Sequence, residues 1–305
     1  KYSPDNKSVY QGLADSYRGL KEWDKALEYW FKILEFDKND YLIYTRIADA
    51  YRKKSNFKEA EKYYLKSLSI NSKNKFALMG LGDLYYKNKK YNKALEYWKK
   101  LLEINPKLVN IQTIIGNIYR VSKQYNKAIE YYQKTLRFHK NNFYSLYGIA
   151  DSLRGKKKFK DAIKYWKKIL VNDPNNDRIL TRLGDCYIRI GKLDDAEKIY
   201  NKVLENSINK YALIGLIRIN IERKNWNKAI EICNNYLNTF QNDSRVILLL
   251  AKIYEEMGDK NKSKEIYEKY KDMFPSHNIF TSKLASSTLE NIQEDIEEFE
   301  EDDQL

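Results

Sequence analysis

The chain has 305 residues, a formal net charge of +14 and 43% hydrophobic residues, with a mean hydropathy of −0.75. No run of about 18 apolar residues occurs, which excludes a membrane-spanning helix within these residues. Four Pro and eleven Gly leave few breakers, which predicts helix nearly throughout. The first residue is Lys1, not Met, so a signal peptide or anchor ahead of it stays open and localisation is not fixed, with the cytoplasm favoured.

After an N-terminal extension of residues 1–6, the chain repeats itself. KALEYW stands at Lys25–Trp30 and again at Lys93–Trp98, and DAIKYW follows at Asp161–Trp166, each 68 residues on. A small residue after each polar turn recurs every 34 residues at Ala26, Ala60, Ala94, Ala128, Ala162 and Ala196, then at Ala229 after 33 and Ser263 after 34. A second small residue stands 12 earlier in most units: Ala14, Ala48, Gly82, Gly116, Ala150, Gly184 and Ala251, with Ile217 as the exception. Looking for a period first gives eight units, 7–40, 41–74, 75–108, 109–142, 143–176, 177–209, 210–243 and 244–277. Each reads as two amphipathic helices joined by a short polar turn, with apolar residues at i, i+4 and i+7 as in Ala94, Trp98 and Leu101. Helices approach to about 8 Å only where side chains are short, which accounts for the small residues. The 68-residue interval is two units: Trp30, Trp98 and Trp166 alternate with Tyr64, Tyr132, Tyr200 and Tyr267, and the odd units add Gly12, Gly80, Gly148 and Gly215 at their sixth position. The expectation is a groove open at each of these glycines and filled at the unit between.

The pattern resembles the tetratricopeptide repeat, whose signature has small residues at unit positions 8 and 20, aromatics at 11 and 24 and Pro at 32. Pro106, Pro174 and Pro275 all fall at position 32. The resemblance covers the eight units and departs at the seventh, where Ile217, Asn220 and Cys233 replace the expected residues and less regular packing is expected. It implies an all-α, right-handed superhelical solenoid of helix hairpins, closed by a capping helix within 278–305. It also implies that the first helix of each unit lines a concave groove through positions 2, 5, 6, 9, 12 and 13, where an extended peptide or a partner helix would lie.

Arginine is sorted onto those positions. Of 12 Arg, ten stand there: Arg18, Arg46, Arg52, Arg120, Arg154, Arg178, Arg182, Arg189, Arg218 and Arg245; of 44 Lys, only Lys53, Lys87 and Lys252 do. An AT-rich genome would raise Lys, Asn, Ile and Tyr together but would not sort two cations by helix face. The planar guanidinium binds carboxylates bidentately and stacks on aromatics, which an ammonium does not. Position 9 carries Asp15, Asp49, Asp83, Asn117, Asp151 and Asp185, and Arg three residues on could pair along the same helix, as in Asp15–Arg18, Asp49–Arg52 and Asp151–Arg154. The groove tally is nonetheless 13 basic to 8 acidic residues. Of the carboxylate clamp of chaperone adaptors, Asn117, Arg178 and Arg182 occupy matching places while Thr113 and Gly148 break the set, so a chaperone tail is disfavoured. Phe76, Tyr144, Tyr147 and Tyr211 add apolar grip.

The reading is therefore an interaction scaffold or adaptor binding an extended or helical, acidic peptide segment of another protein in this groove. The alternative is a helical repeat that binds single-stranded RNA, weakened by the aspartate row, which would repel phosphates. No phosphate loop, nucleophile–His pair or metal-ligand spacing occurs, so no enzymatic activity and no cofactor are expected. Cys186 and Cys233 read as buried small hydrophobes, and His139 and His277 form no ligand cluster with them. Residues 278–305 hold nine acidic residues and one Lys, with Ser287 and Glu290 at capping-box spacing. They read as a solenoid cap, or as an acidic tail that occupies the arginine groove of its own or a neighbouring chain.

Overall fold

The computed structural model describes residues 7–205 and 207–270. Among them are sixteen α-helices and no strand. They divide into two compact units at Ser152/Leu153. The first contains α1 (Lys7–Gly19), α2 (Trp23–Phe36), α3 (Tyr41–Lys53), α4 (Phe57–Ile70), α5 (Lys75–Lys87), α6 (Tyr91–Ile104), α7 (Val109–Val121) and α8 (Tyr125–Phe138). The division falls within α9 (Phe143–Gly155). The second unit holds α10 (Phe159–Leu170), α11 (Asp177–Arg189), α12 (Leu193–Leu204), α13 (Lys210–Glu222), α14 (Trp226–Thr239), α15 (Ser244–Glu256) and α16 (Lys260–Tyr270). Within each unit, a first helix packs on the second helix that follows it, and that helix packs on the next first helix. Pro275 and His277, Ser287, Glu290 and the proposed cap and tail lie outside the described residues, as does the extension 1–6.

Local chemistry sets the helix ends. Five first helices start on an Asx side chain that accepts backbone N–H groups: Asp40 caps α3, Asn74 α5, Asn176 α11, Asn209 α13 and Asp243 α15, whereas α7 starts at Leu108 without a side-chain cap. They end in one repeated geometry. In α5 the Lys90 N–H bonds the Tyr85 carbonyl at 2.9 Å and the Lys89 N–H bonds the Tyr86 carbonyl at 2.9 Å. This is the Schellman arrangement, which needs a left-handed residue just past the helix. Gly191 and Gly258 supply it with φ of +75° and +83°, but Lys21, Lys89, Lys123, Lys157 and Lys224 adopt it too, with φ between 56° and 61°. A side chain there costs about 1–2 kcal/mol that glycine avoids.

The core is the alternating aromatic row. Trp30, Trp98 and Trp166 are at most 1% exposed, and Tyr64, Tyr132 and Tyr200 are fully buried. The glycines show why tyrosine alternates with tryptophan, and they correct the expected open pockets. A Cβ on Gly80 would lie 2.3 Å from the Tyr64 ring, one on Gly148 2.2 Å from Tyr132, and one on Gly215 2.3 Å from Tyr200. Tyr132 and Tyr200 also close on the small residue of their own hairpins: a Cβ on Gly116 or Gly184 would lie 2.6 Å from the ring. The ring of an even hairpin thus fills the space left by the next odd hairpin's glycine. Gly12, with no such tyrosine before it, meets nothing within 4 Å. In the seventh hairpin α13 and α14 have 13 and 14 residues, as in most other hairpins, and Ile217, Asn220 and Cys233 are buried, while its two helices touch less extensively than those of α1–α2, α3–α4, α5–α6 and α7–α8. Asn220 stays in the helix by donating Nδ2 to the Leu216 carbonyl at 2.8 Å.

Candidate functional site

In each unit the candidate face is built from the odd-numbered helices, and position 9 is its organising row. In the even hairpins a buried tyrosine hydroxyl donates to that residue: Tyr64 to Asp49 at 2.5 Å, Tyr132 to Asn117 at 2.7 Å and Tyr200 to Asp185 at 2.7 Å. The tyrosines were legible only as packing residues. Their regular spacing of 15 from position 9 was the signal that they also orient the face. Burial, reinforced by the Asp49 charge and hydrogen bond, pushes the Tyr64 phenol well above its ordinary range. Burial likewise takes Tyr132 up to about 12, against the pull of the Arg120 charge. Both are neutral donors at physiological pH.

The arginines are held by the same row. Arg46 on α3 reaches back to Asp15 on α1 at 2.6 Å, and Arg18 also approaches Asp15 at 3.3 Å. Burial works to raise the Asp15 carboxyl, but hydrogen bonds from Gln11 and Arg46, with the charges of Arg46 and Arg18, outweigh it and hold it below the usual range. Arg52 donates Nη2 to Asp49 at 3.1 Å and Nε to the Tyr64 hydroxyl at 3.1 Å. Arg120 on α7 reaches forward to Asp151 on α9 at 2.7 Å, and that carboxylate side chain is only 6% exposed. In the second unit Arg218 donates to Asp185 at 3.2 Å. The expected Asp15–Arg18 and Asp49–Arg52 pairs are therefore present, while Arg46, Arg120 and Arg218 pair between neighbouring first helices.

The remaining residues of the face divide by exposure. Arg182 is buried, Arg154 and Arg189 are half-buried on α9 and α11, and Arg178 is exposed at the start of α11. Tyr147 is half-buried, whereas Tyr144 is 69% exposed and Phe76 56% exposed. Asp83 differs from its neighbours in the row. Burial raises its carboxyl above the usual range, the Arg52 charge and the Trp98 indole pull it down, and Asp49 opposes them.

Family models described as tetratricopeptide repeat match residues 41–74, 76–108, 109–138, 153–207 and 244–277. No curated protein matches the chain in sequence. Among solved structures, a chain of Naa15/Naa10 bound to HypK-THB is 13% identical with a TM-score of 0.63, over 88% of this chain and 42% of that one. YrrB, described as a TPR protein with an unusual peptide-binding site, is 19% identical with a TM-score of 0.53, over 60% of this chain and 95% of that one. A tetratricopeptide repeat protein from Parabacteroides merdae ATCC 43184 is 18% identical with a TM-score of 0.49, over 81% of this chain and 98% of that one. For the Naa15/Naa10 and YrrB structures, at these identities, the likeness is one of fold. The matched repeats together span more than half of a chain built from helix hairpins, and the chain belongs to the tetratricopeptide repeat family.

Proposed function

We propose that this protein is an adaptor whose first-helix face seats an acidic peptide segment of a partner protein. A tetratricopeptide repeat array is a protein–protein interaction scaffold. YrrB carries a described peptide-binding site, and the Naa15/Naa10 structure has HypK-THB bound. The observation that carries the finer reading is the mixture on the first unit. Apolar Phe76 and Tyr144 stand exposed on the same face as arginines already fixed by carboxylates. Arg46 holds Asp15 through Nη1 alone, and its side chain is 34% exposed, so the other guanidinium donors are left for a guest carboxylate. A preoriented fork loses less side-chain freedom on binding than a mobile one. The face as proposed comprises Arg46, Asp49, Arg52, Asp83, Asn117, Arg120, Tyr144, Tyr147 and Asp151 in the first unit. The corresponding face of the second unit, taken by itself, comprises Arg154, Arg178, Arg182, Asp185, Arg189 and Arg218. The reading assigns no reaction to the chain.

Fluorescence anisotropy with a labelled acidic peptide containing leucines tests this. Arg46→Gln and Phe76→Ala are each expected to weaken binding about tenfold, roughly 1.4 kcal/mol. Equal affinity for the acidic peptide and its lysine-substituted counterpart would remove the proposal. Deleting 288–305 tests the tail in the same assay: tighter peptide binding at low salt supports tail occupancy of the face, and unchanged binding rejects it.

A further inference from the structure

A second charged surface lies away from the arginine face. In the first unit a cleft of about 880 Å³ opens beside α6, α7 and α8, and Lys89, Lys90, Lys93, Lys99, Lys100 and Lys127 line it. Its size falls within the roughly 300–1,000 Å³ that accommodates small ligands. No arginine lines it. Lys100 pairs with Glu96 at 2.8 Å, and Glu103 also lines the cleft, but Lys89, Lys90, Lys93, Lys99 and Lys127 form no ion pair among the described residues. Aromatic rings position several of these ammonium groups instead. Lys99 and Lys127 stand 5.5 and 5.4 Å from the centre of the Tyr119 ring, and Lys93 stands 5.0 Å from that of Tyr85. A hydrogen bond to Tyr119 raises the Lys99 ammonium above its ordinary range, so it stays charged. Tyr91 at the start of α6 lines the same cleft and is 43% exposed.

The turn that enters α6 contributes two of the lining cations. Lys89 occupies the left-handed turn position at φ 57°, where glycine would be unstrained. Lys90 is the N-cap residue of α6, makes no side-chain cap bond and places a cation at the positive end of the helix.

We infer that this cleft is a binding site for single-stranded nucleic acid. Lysine ammonium groups act as point charges that suit phosphates without demanding the bidentate geometry a carboxylate would exploit. An exposed tyrosine among them offers a ring on which any base can stack. The aspartate row that argues against nucleic acid on the first-helix face has no member in the cleft lining. An acidic peptide is the competing occupant, disfavoured by the absence of arginine from the lining.

The test is anisotropy with a fluorescein-labelled 20-nucleotide oligouridylate and the full chain, titrated across salt. Engaging four or five phosphates gives a slope of log affinity on log salt of about −3. The variant Lys89→Gln/Lys90→Gln/Lys93→Gln/Lys127→Gln is expected to lose nearly all of that slope and at least tenfold in affinity. Tyr91→Ala is expected to lose about five- to tenfold with the slope unchanged. A control of equal charge, Lys228→Gln/Lys262→Gln/Lys264→Gln/Lys269→Gln, is expected to bind like the parent, and circular dichroism checks that each variant is folded. Equal losses in the cleft and control variants would reduce the effect to net charge and overturn the inference. So would competition by poly-glutamate as strong as by unlabelled oligouridylate. Arg46→Gln is expected to leave oligouridylate binding intact, which separates this site from the first-helix face.

Discussion

Single residues in this chain matter through what a neighbouring hairpin does with them. Gly148 and Gly12 share a unit position, yet a Cβ on Gly148 meets the buried Tyr132 ring at 2.2 Å and one on Gly12 meets nothing. Gly148→Ala should therefore cost about 1–3 kcal/mol in urea unfolding. Gly12→Ala should gain up to about 1 kcal/mol, because alanine is the better helix former in open space. Equal effects at the two sites would refute the account of ring insertion. Tyr132→Phe keeps the ring but removes the donor to Asn117, and a loss of about 1 kcal/mol is expected. Lys89→Gly relieves the left-handed turn and should add about 0.5–1 kcal/mol, offset in part by the freer unfolded chain.

Helices and their caps carry the pH dependence. Asp243 caps α15, accepts from Tyr236 at 2.6 Å and takes two bonds from Arg245 at 3.0 and 2.7 Å. Burial works against ionisation there, but the bonds from Arg245 and Tyr236 prevail and hold the carboxyl below its ordinary value. A group depressed in the folded state contributes stability above its unfolded pKa and loses it as pH falls through the folded one. Acid should accordingly remove the Asp243 contribution below about pH 4. Asp243→Ala should shift the urea midpoint down at pH 7 and progressively less at lower pH. Asp83 has the opposite sign. Its folded carboxyl is raised mainly by burial, so ionisation at pH 7 opposes folding and the cost disappears as pH falls below both pKa values. Asp83→Asn should raise the urea midpoint at pH 7, with the gain fading in acid. A gain that persists undiminished at low pH would show that the charge is not its cause.

At the scale of the molecule, stability in a repeat array is a sum of hairpin terms and nearest-neighbour interfaces. Gly80→Ala strikes the α4–α5 interface, where Tyr64 fills the space. Hydrogen exchange should accelerate through α3–α6 while α13–α16 keep the protection of the parent chain. Uniform acceleration along all sixteen helices would mean that the array unfolds as one cooperative block. Charge is also partitioned at this scale. Arginine sits beside carboxylates on the first helices, whereas many lysines of the turns and second helices pair with acidic residues close in sequence, as in Lys32–Glu28, Lys62–Glu59 and Lys134–Glu130. No described helix is long and apolar enough to cross a membrane.

The 34-residue period, the helix hairpins and the sorting of arginine from lysine were all readable in the sequence. They follow from side-chain size and helical spacing, which are local properties. Position 9, the alternating aromatics and the odd-unit glycines were also visible, but their relation was not. The glycines looked like openings because a sequence shows a missing side chain without showing which ring has moved into its place. The same limit hid the arginine partners: i,i+3 pairs can be counted along one helix, whereas Arg46–Asp15 and Arg120–Asp151 arise only when two first helices lie side by side. The lysine-lined cleft is likewise a product of packing, since it joins residues of a turn and three helices that no single periodicity connects. Short-range steric and periodic rules wrote the hairpin. Contacts between hairpins, which depend on distances in space and not along the chain, decided which polar groups pair with one another.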